Sequence, residues 1–351
     1  MKRYLLFGNL PYALPILRPL QAAIRAQGGE ARWFFHGDGA QYLRPDEALL
    51  ASAREVVAFA PEAVIVPGNW VPHFFPGVKV QVFHGFGTLG KKNAHKVRGL
   101  FDLYCTHGDS NTPQMQEQQH RAPHFVVTET GWPKLDPLFR DFGEPCPAYL
   151  GAVKSGGKPV VLYAPTFTRY LTSAPALFDT IQALVGEGRW HFLFQLHPKL
   201  EREWVERYRA LCGEHATWVQ GPDALWALKT ADVMLSDTSS IVWEFLLLRK
   251  PAVTLRNGEP GPYLIDVREA ADVPAALERA LSGRAPLDEI ERFGRAIHPA
   301  RDGRSSERVL AAIEQFASGQ LGAPGAKPFN AWRKLQMRWR LRYWRGLLTP
   351  A

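Results

Sequence analysis

Short apolar runs alternate with helix-length segments along nearly the whole chain, and the alternation stops once and then restarts. Runs at 4–7, 31–35, 63–66, 78–83, 103–106 and 125–127 have the length and composition of buried strands, and several are closed by Gly, Asn or His. Helices are expected between them at 13–27 and 47–59. Prolines and glycines crowd the interval 131–158, and the pattern then resumes with strands at 160–164, 190–196, 217–219, 233–235 and 252–255. Helices are expected over 174–187, 201–212, 224–229, 241–248, 273–281, 288–297 and 305–316. A strand that alternates with a helix must return in parallel, so each half is expected to form a doubly wound parallel sheet. At 351 residues the chain is also too long for one ordinary core. The fold class expected is α/β, with two Rossmann-like halves. Residues 1–147 form the first domain, 148–318 the second, and 319–351 a basic amphipathic tail. Two such halves facing each other would gather their strand C-terminal loops around a shared cleft.

Charge and cysteine content narrow the function. The net charge of +8 resides in the tail, where Lys327, Arg333, Lys334, Arg338, Arg340, Arg342 and Arg345 meet no acid after Glu314. Removing those seven from the 42 Lys and Arg leaves 35 against 34 Asp and Glu, so the body is nearly neutral. Three separated cysteines, Cys105, Cys146 and Cys212, suit a reducing cytoplasm rather than a disulfide framework, and no zinc-type pair exists. The apolar run after Met1-Lys2-Arg3 is broken at Gly8-Asn9, so it is expected to be a strand and not a signal peptide. No stretch of 18 uninterrupted apolar residues is present to span a bilayer.

The segment 231–251, ADVMLSDTSSIVWEFLLLRKP, supplies the first candidate site. A strand, the turn Ser236-Asp237-Thr238-Ser239-Ser240 and a helix carrying Glu244 follow one another. A helix start offers unpaired N–H groups, and hydroxyls add donors suited to phosphate. The same residue types also cap helices, so the turn alone leaves both readings open. Other strand ends carry similar chemistry. His84 precedes Gly85, with Lys91 and Lys92 beyond, and is either a base beside a phosphate loop or an edge histidine bonded to backbone. His197, with Pro198 and Lys199, has the same placement in the second half. Thr166 and Arg169 close the first strand of that half, as an ordinary turn or as a diphosphate loop. Asp302 and Ser305 open a helix and suit a capping motif. Hydride transfer would want Gly-x-Gly-x-x-Gly with a following acid, and that fingerprint is not read here; nor is a Walker loop, or an Asp-x-Asp pair for divalent metal. No metal site and no cofactor are expected.

Together these residues resemble the CDP-glycerol glycerophosphotransferase family, the enzymes of teichoic acid and some capsule polymers. The resemblance rests on His84-Gly85 with Lys91/Lys92, Ala164-Pro165-Thr166, His197-Pro198-Lys199 and Ser236-Asp237-Thr238-Ser239-Ser240 with Glu244. Lys250-Pro251 and Asp302-Gly303 with Ser305-Ser306 complete it, over roughly residues 60–317. It implies a GT-B architecture with the nucleotide held mainly by the second half. His84 would then take the acceptor hydroxyl's proton, while His197 with Thr238, Ser239 and Ser240 would neutralise the donor's diphosphate as CMP departs. The donor implied is a CDP-activated polyol, acting as substrate, and the acceptor a glycan or lipid-linked chain. With no long segment before the first strand, addition of one or a few units is expected rather than a long polymer. A nucleotide-sugar glycosyltransferase and a non-catalytic binding module are the rival readings.

The tail segment 331–348, AWRKLQMRWRLRYWRGLL, interleaves Arg with Trp332, Trp339, Tyr343 and Trp344. Interfacial helices have this composition, which suits an anionic membrane surface on the cytoplasmic face. Packing on the first domain and binding to nucleic acid are the alternatives weighed, and no nucleic acid partner is expected.

Overall fold

A computed structural model describes residues 1–86, 97–143 and 145–345. The chain divides into two units, Met1–Arg140 with Ile297–Ala351, and Asp141–Ala296. In the first, the chain runs through β1 (Arg3–Gly8), α1 (Leu14–Ala26), β2 (Glu30–Phe35), α2 (Ala53–Phe59), β3 (Ala63–Val66) and β4 (Val78–Gln81). It continues with β5 (Leu103–Thr106), α3 (Thr112–Arg121), β6 (Val126–Glu129) and the short α4 (Asp136–Phe139). The six strands are all parallel in the order β2-β1-β3-β4-β5-β6. Every residue of β3 and β5 is buried, as expected where both sheet faces are covered. Strand order reverses between β1 and β3, which opens a crevice at their C-terminal ends.

Two elements here differ from the sequence-based expectation. The helix expected from 47 starts only at Ala53, because residues 48–50 run beside β2: Trp33 N–H donates to Ala48 O and Leu50 N–H to Trp33 O. Ser52 then caps α2 reciprocally with Glu55, whose N–H donates to Ser52 Oγ at 3.3 Å while Ser52 Oγ donates to Glu55 Oε1 at 3.0 Å. Helix α3, TPQMQEQQHR, was not anticipated: only Thr112 and Met115 are buried, so it shows no apolar stripe.

The second unit contains α5 (Ala148–Ser155), β7 (Val160–Tyr163), α6 (Ala174–Glu187), β8 (His191–Phe194), α7 (Arg202–Ala210) and β9 (Ala216–Trp218). After them come α8 (Ala224–Thr230), β10 (Val233–Ser236), α9 (Ile241–Leu246), β11 (Ala252–Leu255), β12 (Ile265–Val267), α10 (Val273–Leu281) and α11 (Leu287–Ile297). Its sheet is likewise all parallel, ordered β12-β11-β10-β7-β8-β9. Phe192, Phe194, Leu235 and Val253 pack with Tyr163, Phe178 and Tyr208 into its core. β12 carries too few apolar residues to stand out in sequence, yet it completes the edge beside β11.

The domain limits are corrected at the C-terminus. Helix α12 (Ser305–Ala317), expected to close the second domain, belongs to the first unit, as does α13 (Ala331–Arg340). Asp136 explains this. Its buried carboxylate accepts the N–H groups of Ser305 and Ser306 at 2.8 Å each, capping the first turn of α12 from 169 residues away. Val309, Leu310 and Ile313 then bury the inner face of that helix. The tail is no separate domain either. Met337 is buried in the first unit's core, Tyr343 stacks on Phe74 at 4.7 Å, and Lys327 Nζ donates to Leu100 O at 3.1 Å. Asp136→Ala is expected to lower the stability of this unit by about 1–3 kcal/mol, since two buried N–H donors lose their acceptor. Urea denaturation would measure it, and an unchanged midpoint would show that α12 docks without this cap.

Candidate active site

In the second unit the turn after β10 ties the neighbouring loops together, holding the loop after β7 through the buried Asp237 carboxylate and the loop after β11 through the Asp237 carbonyl and the Thr238 hydroxyl. Asp237, just past β10, accepts the Thr166 N–H at 2.8 Å, the Ser173 N–H at 2.7 Å and the Ser173 hydroxyl at 2.9 Å. Burial pushes its pKa up to about 6, and those hydrogen bonds hold it from rising further. Asn257 Nδ2 donates to the Asp237 carbonyl at 3.0 Å, and Gly258 N–H donates to Thr238 Oγ1 at 2.8 Å. Ser236 Oγ donates to Ala164 O at 2.6 Å. Ser236 and Asp237 are therefore corrected from ligand contacts to fully buried fasteners of the loop frame. Thr238 and Ser239 are half-buried and Ser240 is exposed; no side-chain bond from Ser240 caps α9. Glu244, in the first turn of α9, is buried at 5% exposure. Ser173 and Asn257 were missed in the sequence, where nothing distinguishes them from other loop polar residues.

Beside this frame stands His197, exposed after β8. Lys199 N–H donates to its Nδ1 at 3.0 Å, which places the proton of the neutral ring on Nε2. Partial burial and then the Lys199 charge lower its pKa, so the neutral form dominates near pH 7. The ring stacks on Phe167 at 4.2 Å, and the Lys199 ammonium lies 5.7 Å from the same phenyl centroid. Phe167 thus joins His197 and Lys199 to the loop that carries Thr166. Arg169 is 88% exposed and pairs with Glu201 at 3.2 Å. Lys250 closes α8, its ammonium donating to the carbonyls of Leu228, Lys229 and Ala231.

In the first unit, His84 follows β4 at the switch-point end of the sheet. Its Nδ1 lies 3.1 Å from the Pro67 carbonyl, which can only accept, so the proton is on Nδ1 and the Nε2 lone pair is left free of it. The two candidate histidines thus carry opposite tautomers. Phe83, just before, adopts a left-handed conformation (φ 57°) that is costly for a residue with a side chain. Its buried ring, packed near Tyr104 and His107, holds it there. Tyr12, unnoticed in the sequence, brings its ring to 5.2 Å from His84; its one signal is a position just past the Gly8-Asn9 end of β1. Among the described residues, a Cβ at Gly85 would meet nothing within 4 Å. Lys91 and Lys92 lie outside the described residues.

Asp302 and Ser305 are corrected to structural roles. Both Asp302 oxygens pair with Arg308 at 2.9 Å, which holds the acid down at about 2, and Ser305 is fully buried over the Asp136 cap. The glycine fingerprint also needs correction: Gly85, Gly87 and Gly90 do have Gly-x-Gly-x-x-Gly spacing. They follow β4, however, whereas the dinucleotide fingerprint belongs to the first βα turn, and β1 ends here in Gly8-Asn9.

The family model for CDP-Glycerol:Poly(glycerophosphate) glycerophosphotransferase matches residues 77–258, more than half of the 351-residue chain. The chain belongs to this family. It is a transferase of the CDP-glycerol type, and the match contains His84, His197 and the 236–240 turn but not Asp302 or Ser305. The teichoic acid glycerol-phosphate primase of Bacillus subtilis is 23% identical over 275 residues, covering 68% of each chain. The teichoic acid ribitol-phosphate polymerase TarL of Staphylococcus aureus is 23% identical over 279 residues, covering 66% of this chain and 46% of that one. The chain spans about half the length of such polymerases. Among solved structures, the wall teichoic acid polymerase TagF aligns with a TM-score of 0.64 at 14% identity, over 91% of this chain and 90% of that one. A UDP-N-acetylglucosamine 2-epimerase aligns at 0.61 and 16% identity, over 91% and 97%. These likenesses establish the fold: two Rossmann-like parallel-sheet domains of GT-B type.

Proposed function

We propose that this enzyme transfers glycerol phosphate, or a related polyol phosphate, from a CDP-activated donor to a glycan or lipid-linked acceptor in cell-envelope polymer synthesis, releasing CMP. The observation that carries the reading is the pair of opposite tautomers on histidines inside the family match. A ring with Nε2 unprotonated can take a proton; one with Nε2–H can give a hydrogen bond to phosphate oxygen. The acceptor hydroxyl loses its proton to His84 Nε2 as its oxygen attacks the phosphorus bearing the polyol. The bond from that phosphorus to the bridging oxygen breaks, and CMP leaves with the electron pair. His197 Nε2–H, the Thr238 and Ser239 hydroxyls and the exposed Ser240 then meet the charge that gathers on the diphosphate. Phosphoryl transfer needs little covalent help from protein, so positioning and charge stabilisation supply most of the rate. The tail suits attachment to the cytoplasmic face of an anionic membrane; among the described residues no helix is long and apolar enough to cross one.

A thermal-shift panel on the full chain tests the donor. CDP-glycerol or CDP-ribitol at 100 times its Kd is expected to stabilise the protein by about 2.7 kcal/mol, and His197→Ala to reduce that gain. Stabilisation by UDP-sugars alone would replace this reading with a nucleotide-sugar glycosyltransferase.

A further inference from the structure

Helix α13 has two faces, and only one is used by the fold. Met337 is buried in the first unit's core, and Arg333 Nη1 donates to Arg98 O at 2.5 Å. On the other side Trp332, Leu335 and Trp339, spaced i, i+3 and i+7, are exposed, and Trp332 and Trp339 expose 70% and 72% of their surface. With Trp344 they form an open trough of about 430 Å³, bordered by Gln336 and Arg340. Isolated exposed apolar residues need no explanation, but three indoles and a leucine around one trough mark a binding surface.

A second cavity, of about 260 Å³, lies between α13 and the loop after β3, and Gln336 and Arg340 line it as well. Arg98, Arg333 and Arg340 bring three guanidinium-bearing residues to its wall, with Trp70 and Asn69, and among the described residues no carboxylate lines either cavity. Asn69 is oriented as a donor. Buried Gln81 Nε2 donates to Asn69 Oδ1 at 2.8 Å and to Gly68 O at 3.0 Å, so the Asn69 amide nitrogen is the group left to face a ligand. An apolar trough that shares Gln336 and Arg340 with an adjacent arginine-lined cavity suits one amphiphile: a hydrocarbon chain with an anionic end. Arginine clusters with amide donors select phosphate by geometry as well as charge.

We infer that the two adjacent cavities, which share Gln336 and Arg340, form a single site for a lipid phosphate, its hydrocarbon chain laid over Trp332, Trp339 and Trp344 and its phosphate or diphosphate held by Arg333, Arg340 and Asn69. The inference deepens the acceptor side of the proposed function and rests on that reading for calling the lipid a substrate. Position supports it: the loop that presents Asn69 also presents the Pro67 carbonyl that orients His84. A phosphate held here lies one loop away from the candidate base.

The test is calorimetric binding of farnesyl diphosphate to the full chain without nucleotide, beside inorganic diphosphate, farnesol and a single-stranded oligonucleotide. Farnesyl diphosphate is expected to bind at least about tenfold tighter than either of its halves, a difference of 1.4 kcal/mol. Arg340→Gln and Trp339→Ala are each expected to weaken it by about tenfold. Both side chains are exposed, and an unchanged melting temperature would verify that the variants fold. Phosphatidylcholine vesicles carrying farnesyl diphosphate should co-float with the wild type, and plain vesicles should not. The inference is overturned if inorganic diphosphate or farnesol binds as tightly as the amphiphile, if both variants bind like wild type, or if the oligonucleotide displaces the lipid. Because no donor is present, failure here would leave nucleotide stabilisation through His197 intact, and the two readings would separate.

Discussion

His84→Ala is expected to slow transfer from CDP-glycerol by about 10²–10⁴-fold, the usual contribution of a general base, while donor affinity stays unchanged. The Pro67 carbonyl at 3.1 Å can only accept, so it fixes the proton on Nδ1 and frees Nε2 for the acceptor hydroxyl. The effect belongs in kcat, because His84 is read as acting on the acceptor and the donor's diphosphate is assigned to groups of the second unit. His84→Gln keeps a side chain that can donate to Pro67 but cannot take up a proton, so it should be as slow as the alanine variant. Steady-state kinetics with an acceptor in excess would measure these effects, and full activity in His84→Gln would remove the base from the mechanism.

Asp237→Ala is expected to destabilise the second unit by about 2–4 kcal/mol at neutral pH. The part-buried Thr166 N–H and the buried Ser173 N–H would lose their shared, fully buried acceptor. Activity should fall as well, since the loop carrying Thr166 and Phe167 would lose its tether to the 236–240 turn. The same group gives a pH signature. Its carboxyl is pushed up to about 6 in the fold against 3.8 ordinarily, so between those values the folded chain keeps a proton that the unfolded chain has released. The stability this group contributes must therefore fall as pH rises through this window, by about 3 kcal/mol in all, and level off above it, while His73 and His298, held down at about 4 chiefly by burial, contribute in the opposite sense over the same range. Denaturation curves taken from pH 4 to pH 7 should therefore show the stability difference between wild type and Asp237→Ala shrinking as pH rises, since the other titrating groups are common to both proteins. An identical slope in the two proteins would assign the titration to another group.

Much of the site was legible because strand-terminal chemistry follows apolar runs. His84, His197, Thr166 and the 236–240 turn each follow a strand of their sheet, where an open α/β fold places ligands. What each residue does there was not legible. Asp237 looked like part of a phosphate turn, yet its backbone position turns the carboxylate inward to three donors of a neighbouring loop. Arg169 was open between an ordinary turn and a diphosphate loop, and here it reaches Glu201 in an exposed pair. Asp302 and Ser305 carried a resemblance and proved to belong to the start of a helix.

Sequence by itself determined two parallel α/β halves, the strand ends that carry chemistry, and a tail whose charge stands apart from the body. Those features are local, written in residue spacing of two and 3.6 and in breaks of proline and glycine. Tertiary structure decided the home of α12 and α13, the tautomers of the two histidines and the meeting of a trough with an arginine cavity. Each of these turns on a partner distant in sequence: Asp136 for Ser305, Pro67 for His84, the loop after β3 for Arg333 and Arg340. No periodicity encodes such a partner. It is set by which surfaces remain to be buried once the two sheets have formed.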